Sequence, residues 1–220
     1  MSAFQYKSRF FLFVMLAAVS APAHAQAAEK TYAELVAQAE SGDPATDYTA
    51  LRMAYVKSDG YDGYNNKYHD LYQPLWKAAL AKDCNKVLAI SDEVLKSDYT
   101  LVSVHMARAN CFKEMGDQAR AEHEDAVGHG LAHSVFGSGD GKSTATAYIV
   151  ITMDEEHLVE GNLHLDEDKQ SLINEGGHSY DLIEGPNRDT HERIAVYFNV
   201  DAMFGSLMKI FGGKHDGAQN

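Results

Sequence analysis

The chain has 220 residues, 45% of them hydrophobic, and 32 acidic against 19 basic side chains give it a formal net charge of -13. The apolar share is that of an ordinary globular protein, and the length suits one compact core. A surplus of negative charge repels phosphate backbones and anionic headgroups, which excludes nucleic acid as a partner.

Lys7 and Arg9 precede an apolar run from Phe10 to Val19, and Ala23-His24-Ala25 follows. That order is a secretory signal peptide over residues 1–25, cleaved between Ala25 and Gln26. The run is shorter than the ~20 apolar residues of a membrane-crossing helix, and no later stretch supplies them. The expectation is a periplasmic or secreted protein with no membrane span after signal removal. No cysteine stands near the cleavage point, which argues against a lipid anchor.

Residues 26–136 read as helical. Thr31 to Ser41 carries Ala33, Leu35, Val36 and Ala39 on one face, and Gly42-Asp43-Pro44 ends it. Asp47 or Thr49 starts a second helix that Ser58-Asp59-Gly60 stops, and Leu71 to Lys82 forms a third with Pro74 near its first turn or kinking it. Half of the tyrosines fall between Tyr48 and Tyr72. Such a cluster marks either an interface or packed rings with satisfied hydroxyls.

The segment Asp83-Cys84-Asn85-Lys86-Val87 falls on Asp117-Gln118-Ala119-Arg120-Ala121 at an offset of 34, the tetratricopeptide period. Phe112, Gly116 and Ala121 fit that pattern, and Asp125, where it wants a large apolar residue, does not. At most two degenerate repeats, from Tyr68 to Val135, are present. A free solenoid needs three or more, so these helices must lean on something else. Between the two segments Ser97-Asp98-Tyr99-Thr100 reads as a turn, with Thr100 as a candidate N-cap. An antiparallel hairpin folded there sets Cys84 opposite Cys111, and an oxidising compartment would join them; two buried free thiols are the alternative.

Residues 137–212 read as β-rich. Thr146 to Thr152, Ser179 to Glu184 and Arg193 to Val200 carry β-branched and aromatic residues between turn signals, and His157 to Val159 adds an edge strand or a helical turn. Met203 to Phe211 closes with a small helix, and residues 213–220 form a frayed tail. The fold class is α+β: tetratricopeptide-like antiparallel helices packed on a small, mainly antiparallel C-terminal sheet that they cover.

The stretch Ser138-Gly139-Asp140-Gly141-Lys142-Ser143, followed by Ala147-Tyr148-Ile149-Val150-Ile151, Glu155-Glu156, Gln170-Ser171-Leu172, Ser179-Tyr180-Asp181-Leu182 and Tyr197-Phe198-Asn199-Val200, resembles a family of exported bacterial proteins known as a domain of unknown function. Leu51-Arg52-Met53-Ala54-Tyr55 and His123 resemble its N-terminal half. The resemblance covers nearly all of the mature chain and implies an architecture but no activity.

The chemistry-bearing residues give several weak leads. Gly137 to Ser143 suggests a phosphate loop, but it is one residue short of G-x-x-x-x-G-K-[ST] and runs from helix to strand, the reverse of what an anion at a helix N-terminus needs; a connector is the better reading. Asp125, His129 and His133 share a helical face that suits zinc, although Gly128 and Gly130 weaken the helix there. His123 lies instead on a stripe with Val127, Leu131 and Val135, where a core histidine is expected. Asp154-Glu155-Glu156 and Asp166-Glu167-Asp168 read as solvated turns, and no nucleophile motif is present. No catalytic residue and no cofactor is assigned.

The expectation is a protein-interaction or envelope-associated module whose partner is another envelope or secreted protein. The alternative is a small-ligand binder or hydrolase with a cleft between helices and sheet, using His123, Asp140, Lys142 and Glu156. A deep polar cleft joining those four would favour the second, and a broad exposed tyrosine and leucine patch the first.

Overall fold

The structure is a computed structural model that describes residues 29–64 and 66–212. The expected signal peptide, its Ala25 to Gln26 cleavage point and the 213–220 tail lie outside the described residues. The fold is α+β: among the described residues six α-helices come first, then a four-stranded sheet with a seventh helix between its first two strands, and an eighth helix last.

Helices α1 (Tyr32–Glu40) and α2 (Tyr48–Lys57) form the first hairpin. Thr31 caps α1 in a reciprocal box with Glu34, and the Asp47 carboxylate caps α2 at the Ala50 amide, 2.8 Å away. Helices α3 (His69–Leu80) and α4 (Cys84–Ser97) form the second, and α5 (Val102–Glu114) and α6 (Gln118–Phe136) the third. Pro74 stands inside α3. Leu101, not Thr100, occupies the N-cap of α5; the Thr100 amide and hydroxyl donate instead to Asp98, at 2.7 and 2.6 Å. Cys84 and Cys111 form a disulfide with 5.1 Å between their Cα atoms, so the opening of α4 is fastened to the end of α5.

Gly128 and Gly130 do not break α6, which runs unbroken through both. They are sites of close approach: a Cβ at Gly128 would stand 3.0 Å from Met106 Cε, and one at Gly130 would overlap the Tyr48 ring. The buried stripe of α6 is Ala121, Glu124, Val127, Gly128, Leu131 and Val135, so Glu124 takes the place expected for His123, which is half-buried.

The sheet has the order β1-β4-β3-β2, from β1 (Tyr148–Ile149), β2 (Lys169–Glu175), β3 (His178–Pro186) and β4 (Arg193–Asn199). The β2/β3 and β3/β4 pairs are antiparallel, and β1 adds parallel to β4. Gly176 and Gly177, at φ of 62° and 85°, make the two-residue turn from β2 to β3. Only two of the residues expected in the first strand pair, because Val150 to Thr152 lead directly into α7 (Met153–Asn162). His157 to Val159 therefore lie inside a helix. Val135, Val159, Leu165, Ile183, Val196, Phe198, Val200 and Met203 form the core under the sheet, joining α6, α7 and α8 (Asp201–Gly212) to it.

Candidate functional site

The acidic run Asp154-Glu155-Glu156, expected in a solvated turn, forms the first turn of α7 and is buried, at 7%, 1% and 5% exposure. A helix N-terminus stabilises negative charge, which explains its place in the helix but not its burial. Each carboxylate solves burial differently. Glu155 is clasped by Arg52 of α2 through two 2.7 Å hydrogen bonds, from Nε and Nη2, and accepts a third from the Ile151 amide at 2.8 Å. Arg52 also donates to Ser134 Oγ of α6 at 2.9 Å and to the Ile149 carbonyl of β1 at 2.7 Å. One buried ion pair thus fastens α2, α6, α7 and the sheet, and it joins two of the motifs that carry the family resemblance.

Asp154 points toward the helices instead. Its Oδ1 accepts from the Tyr72 hydroxyl of α3 and from Ser103 Oγ of α5 at 2.7 Å, while Oδ2 is buried without a hydrogen-bond partner. Glu156 faces Asp181, Glu160 and Glu167, and burial first, those charges second, push its carboxyl up to about 8. Asp98, fully buried at the end of α4, is pushed up to about 7 by burial, which outweighs its hydrogen bonds from Thr100. The tyrosine cluster serves this junction. Tyr55 and Tyr68 are buried, Tyr61 donates to the Ile151 carbonyl at 2.6 Å, and Tyr68 Oη lies 3.5 Å from Asp98. The tyrosines are interior packing with polar tips, not an exposed patch.

The four residues considered for a cleft between helices and sheet do not converge. His123 is on α6 and lines a groove with Glu40, Asp92, Arg108 and Glu124. Asp140 and Lys142 sit in the loop before β1 and pair with each other at 3.0 Å, half and four-fifths exposed; hydrogen bonds from Thr146 first, then from Lys142, hold Asp140 down to about 2. Glu156 is buried in α7. Of the zinc candidates, His129 Nδ1 donates to the Asp125 carbonyl at 2.8 Å with that residue's carboxylate 3.4 Å away, one turn before His133. Among the described residues no group of three or more His, Cys, Asp or Glu is arranged to hold a metal ion.

Behind His123 lies a network that the sequence reading missed. Glu124 faces the buried His105 Nδ1 at 2.7 Å, and Arg108 donates to it at 2.6 Å while also reaching Asp92 at 2.5 Å. Burial raises the Glu124 carboxyl, but the hydrogen bonds and charges of His105 and Arg108 outweigh it and hold the group below the usual range. These contacts fasten α4, α5 and α6 to one another.

A second groove lies elsewhere. From the N-cap of α3 into the helix, Tyr68, Tyr72 and Trp76 recur every fourth position and touch in turn, tilted and then edge-on, with ring centroids 5.9 and 5.7 Å apart. The ladder leads from the buried Asp98 and Asp154 to a groove of about 840 Å³ between α3 and α5. Trp76 and Ala79 form one wall, Met106, Ala107 and Asn110 the other, and Lys82 and Lys113 stand at the end near the disulfide. Leu80 and Met115, next in the chain to this end, are 88% and 50% exposed. Ser103, which donates to Asp154, lines the same groove. A mainly apolar trough with an aromatic wall and a charged end is suited to hold an apolar segment. The spacing of Tyr68, Tyr72 and Trp76 was available in the sequence; the gap between α3 and α5 was not.

A family model described as a domain of unknown function (DUF4919) matches residues 18–209. No curated protein and no solved structure matches the chain. Among the described residues no helix is long and apolar enough to cross a membrane.

Proposed function

From the premise that the chain belongs to this DUF4919 family, whose description assigns no activity, we propose that it is an exported protein-interaction module that holds an apolar segment of another envelope or secreted protein in the α3/α5 groove. The observation that carries this is the groove itself, lined by the half-buried Trp76 and Met106 with the exposed Asn110 beside them. Aromatic and methionine side chains in a concave trough are the usual anchors of peptide recognition. The tetratricopeptide-like reading is supported by the repeated turn: Ala81 and Met115 end α3 and α5 with φ, ψ near -80° and 0°, and Asp83 and Asp117, 34 positions apart, cap the following helices at Lys86 and Arg120. Export is supported by the leader-like residues 1–25 and by the Cys84–Cys111 disulfide, a bond that persists in oxidising compartments.

The experiment is site-specific photo-cross-linking in an exporting host. A benzophenone side chain at Asn110, which is exposed and lines the groove, is expected to yield a discrete protein adduct; one at Glu122, exposed on the far helix α6, is not. Identical adduct patterns at the two positions, or none at Asn110, would sink the groove as a recognition surface.

A further inference from the structure

The two like hairpins differ at one informative position. Lys82 and Gly116 are 34 residues apart, and each follows the C-cap of its helix in the left-handed region, at φ of 57° and 77°. The hydrogen bonds around them match as well: Asp83 N reaches Ala78 O at 3.0 Å, and Asp117 N reaches Phe112 O at 2.8 Å, the six-to-one bond of a glycine-type helix ending. Glycine adopts this conformation freely, and a side chain there is strained. The second turn uses the residue that the backbone asks for, and the first uses lysine against that preference. Backbone strain of this kind persists where the side chain has a task.

The task is legible from where Lys82 stands. It lines the α3/α5 groove beside Lys113, which has no ion-pair partner among the described residues. Its own contact with Glu114 is long, at 3.6 Å, and open to water, with the two side chains 77% and 49% exposed, so it competes weakly for the ammonium. Two lysines against one glutamate make this groove end basic in a chain whose net charge is -13. We infer that Lys82 is a specificity-determining residue of the groove and engages a carboxylate side chain at one end of an apolar segment of the partner protein. The inference rests on the groove reading above and adds the chemistry of its occupant. The apolar residues lie along Trp76, Ala79, Met106 and Ala107, and the Asp or Glu reaches the Lys82 and Lys113 end.

The test repeats the Asn110 cross-link in Lys82→Gly and Lys82→Arg proteins and sequences the captured segment. Lys82→Gly keeps the fold, because Gly116 serves the same turn, and its melting temperature checks that. The expected result is about a tenfold loss of adduct in Lys82→Gly, the size of one charge-assisted contact, recovery in Lys82→Arg, and an Asp or Glu bordering the apolar stretch of the captured peptide. An undiminished adduct in Lys82→Gly, or a captured segment without an acidic residue, overturns the inference and leaves the groove standing. A wild-type adduct with the mass of a lipid, or none distinct from the Glu122 control, overturns the groove reading and the inference together.

Discussion

The outer hairpin α3–α4 and the inner hairpin α5–α6 have nearly the same turn, yet they live in different surroundings. The inner one is pinned into the rest of the chain, although its α5 supplies one wall of the groove: Tyr48 and Met106 fit against the two glycines of α6, Ser134 binds Arg52, and Val135 enters the core under the sheet. The outer one is held by a core of Leu75, Ala78, Val87 and Val94 that it shares with Leu101 and Val104 of the inner hairpin, and by the disulfide, and Trp76 lines the groove between the two. A repeat in sequence therefore specifies how a hairpin is built. What the hairpin does follows from which of its faces the rest of the chain leaves free.

The sharpest way to break this contrast is at the clasp of the inner hairpin. Arg52→Met strands Glu155 as a buried charge and is expected to cost about 3–5 kcal/mol, measured by denaturant unfolding. Next comes α7, which covers the same hairpin and carries Glu156. Its folded carboxyl, at about 8, lies above the ordinary 4.5, so the folded state holds a proton that the unfolded state releases between those values. Stability is then highest at the acid side of this window and falls as pH rises through it, by about 3 kcal/mol from pH 5 to pH 8 for this group. Glu156→Gln should flatten that part of the melting-temperature profile; an unchanged slope would assign the pH dependence to other groups, with Asp98 first among them. For the outer hairpin, reduction of Cys84–Cys111 should cost about 3 kcal/mol, seen as a lower melting temperature with reductant that is absent in a Cys84→Ser, Cys111→Ser protein. Gly130→Ala should cost about 1–3 kcal/mol by forcing the Tyr48 ring aside, whereas the same change at Gly161, which meets nothing within 4 Å, should not. The smallest effect is at the turn. Lys82→Gly should gain up to about 1 kcal/mol by relieving left-handed strain, and Gly116→Ala, the mirror change, should lose a similar amount.

The α+β order, the boundaries of α1 and α2, and the cysteine pairing were legible because each rests on a local signal: a capping Thr31 or Asp47, a stopping glycine, two cysteines equidistant from a turn. What Gly128 and Gly130 do in the long helix α6 was not legible, since propensity counts the cost of glycine and cannot see the Met106 and Tyr48 side chains that need the space. The acidic run on α7 was misjudged for a related reason. Three consecutive carboxylates look solvated until Arg52, Tyr72 and Ser103, distant in sequence, arrive beside them. Glu124 hid behind His123 in the same way, since its partners His105 and Arg108 lie on another helix. Of the groove, the aromatic ladder on α3 and the Lys82 to Gly116 correspondence were readable at fixed spacings. That α3 and α5 stand apart at that point depends on how the helical hairpins stack, which no single spacing encodes.

Trp76 is the only tryptophan of the chain, and it stands on the wall of the groove with Tyr72 edge-on beneath it. Light absorbed at the red edge of the protein's ultraviolet band is therefore emitted from one known place. Any guest that enters the trough dries that indole and shifts its fluorescence to shorter wavelength. The molecule thus carries an intrinsic optical gauge of occupancy that needs no label and no activity assay.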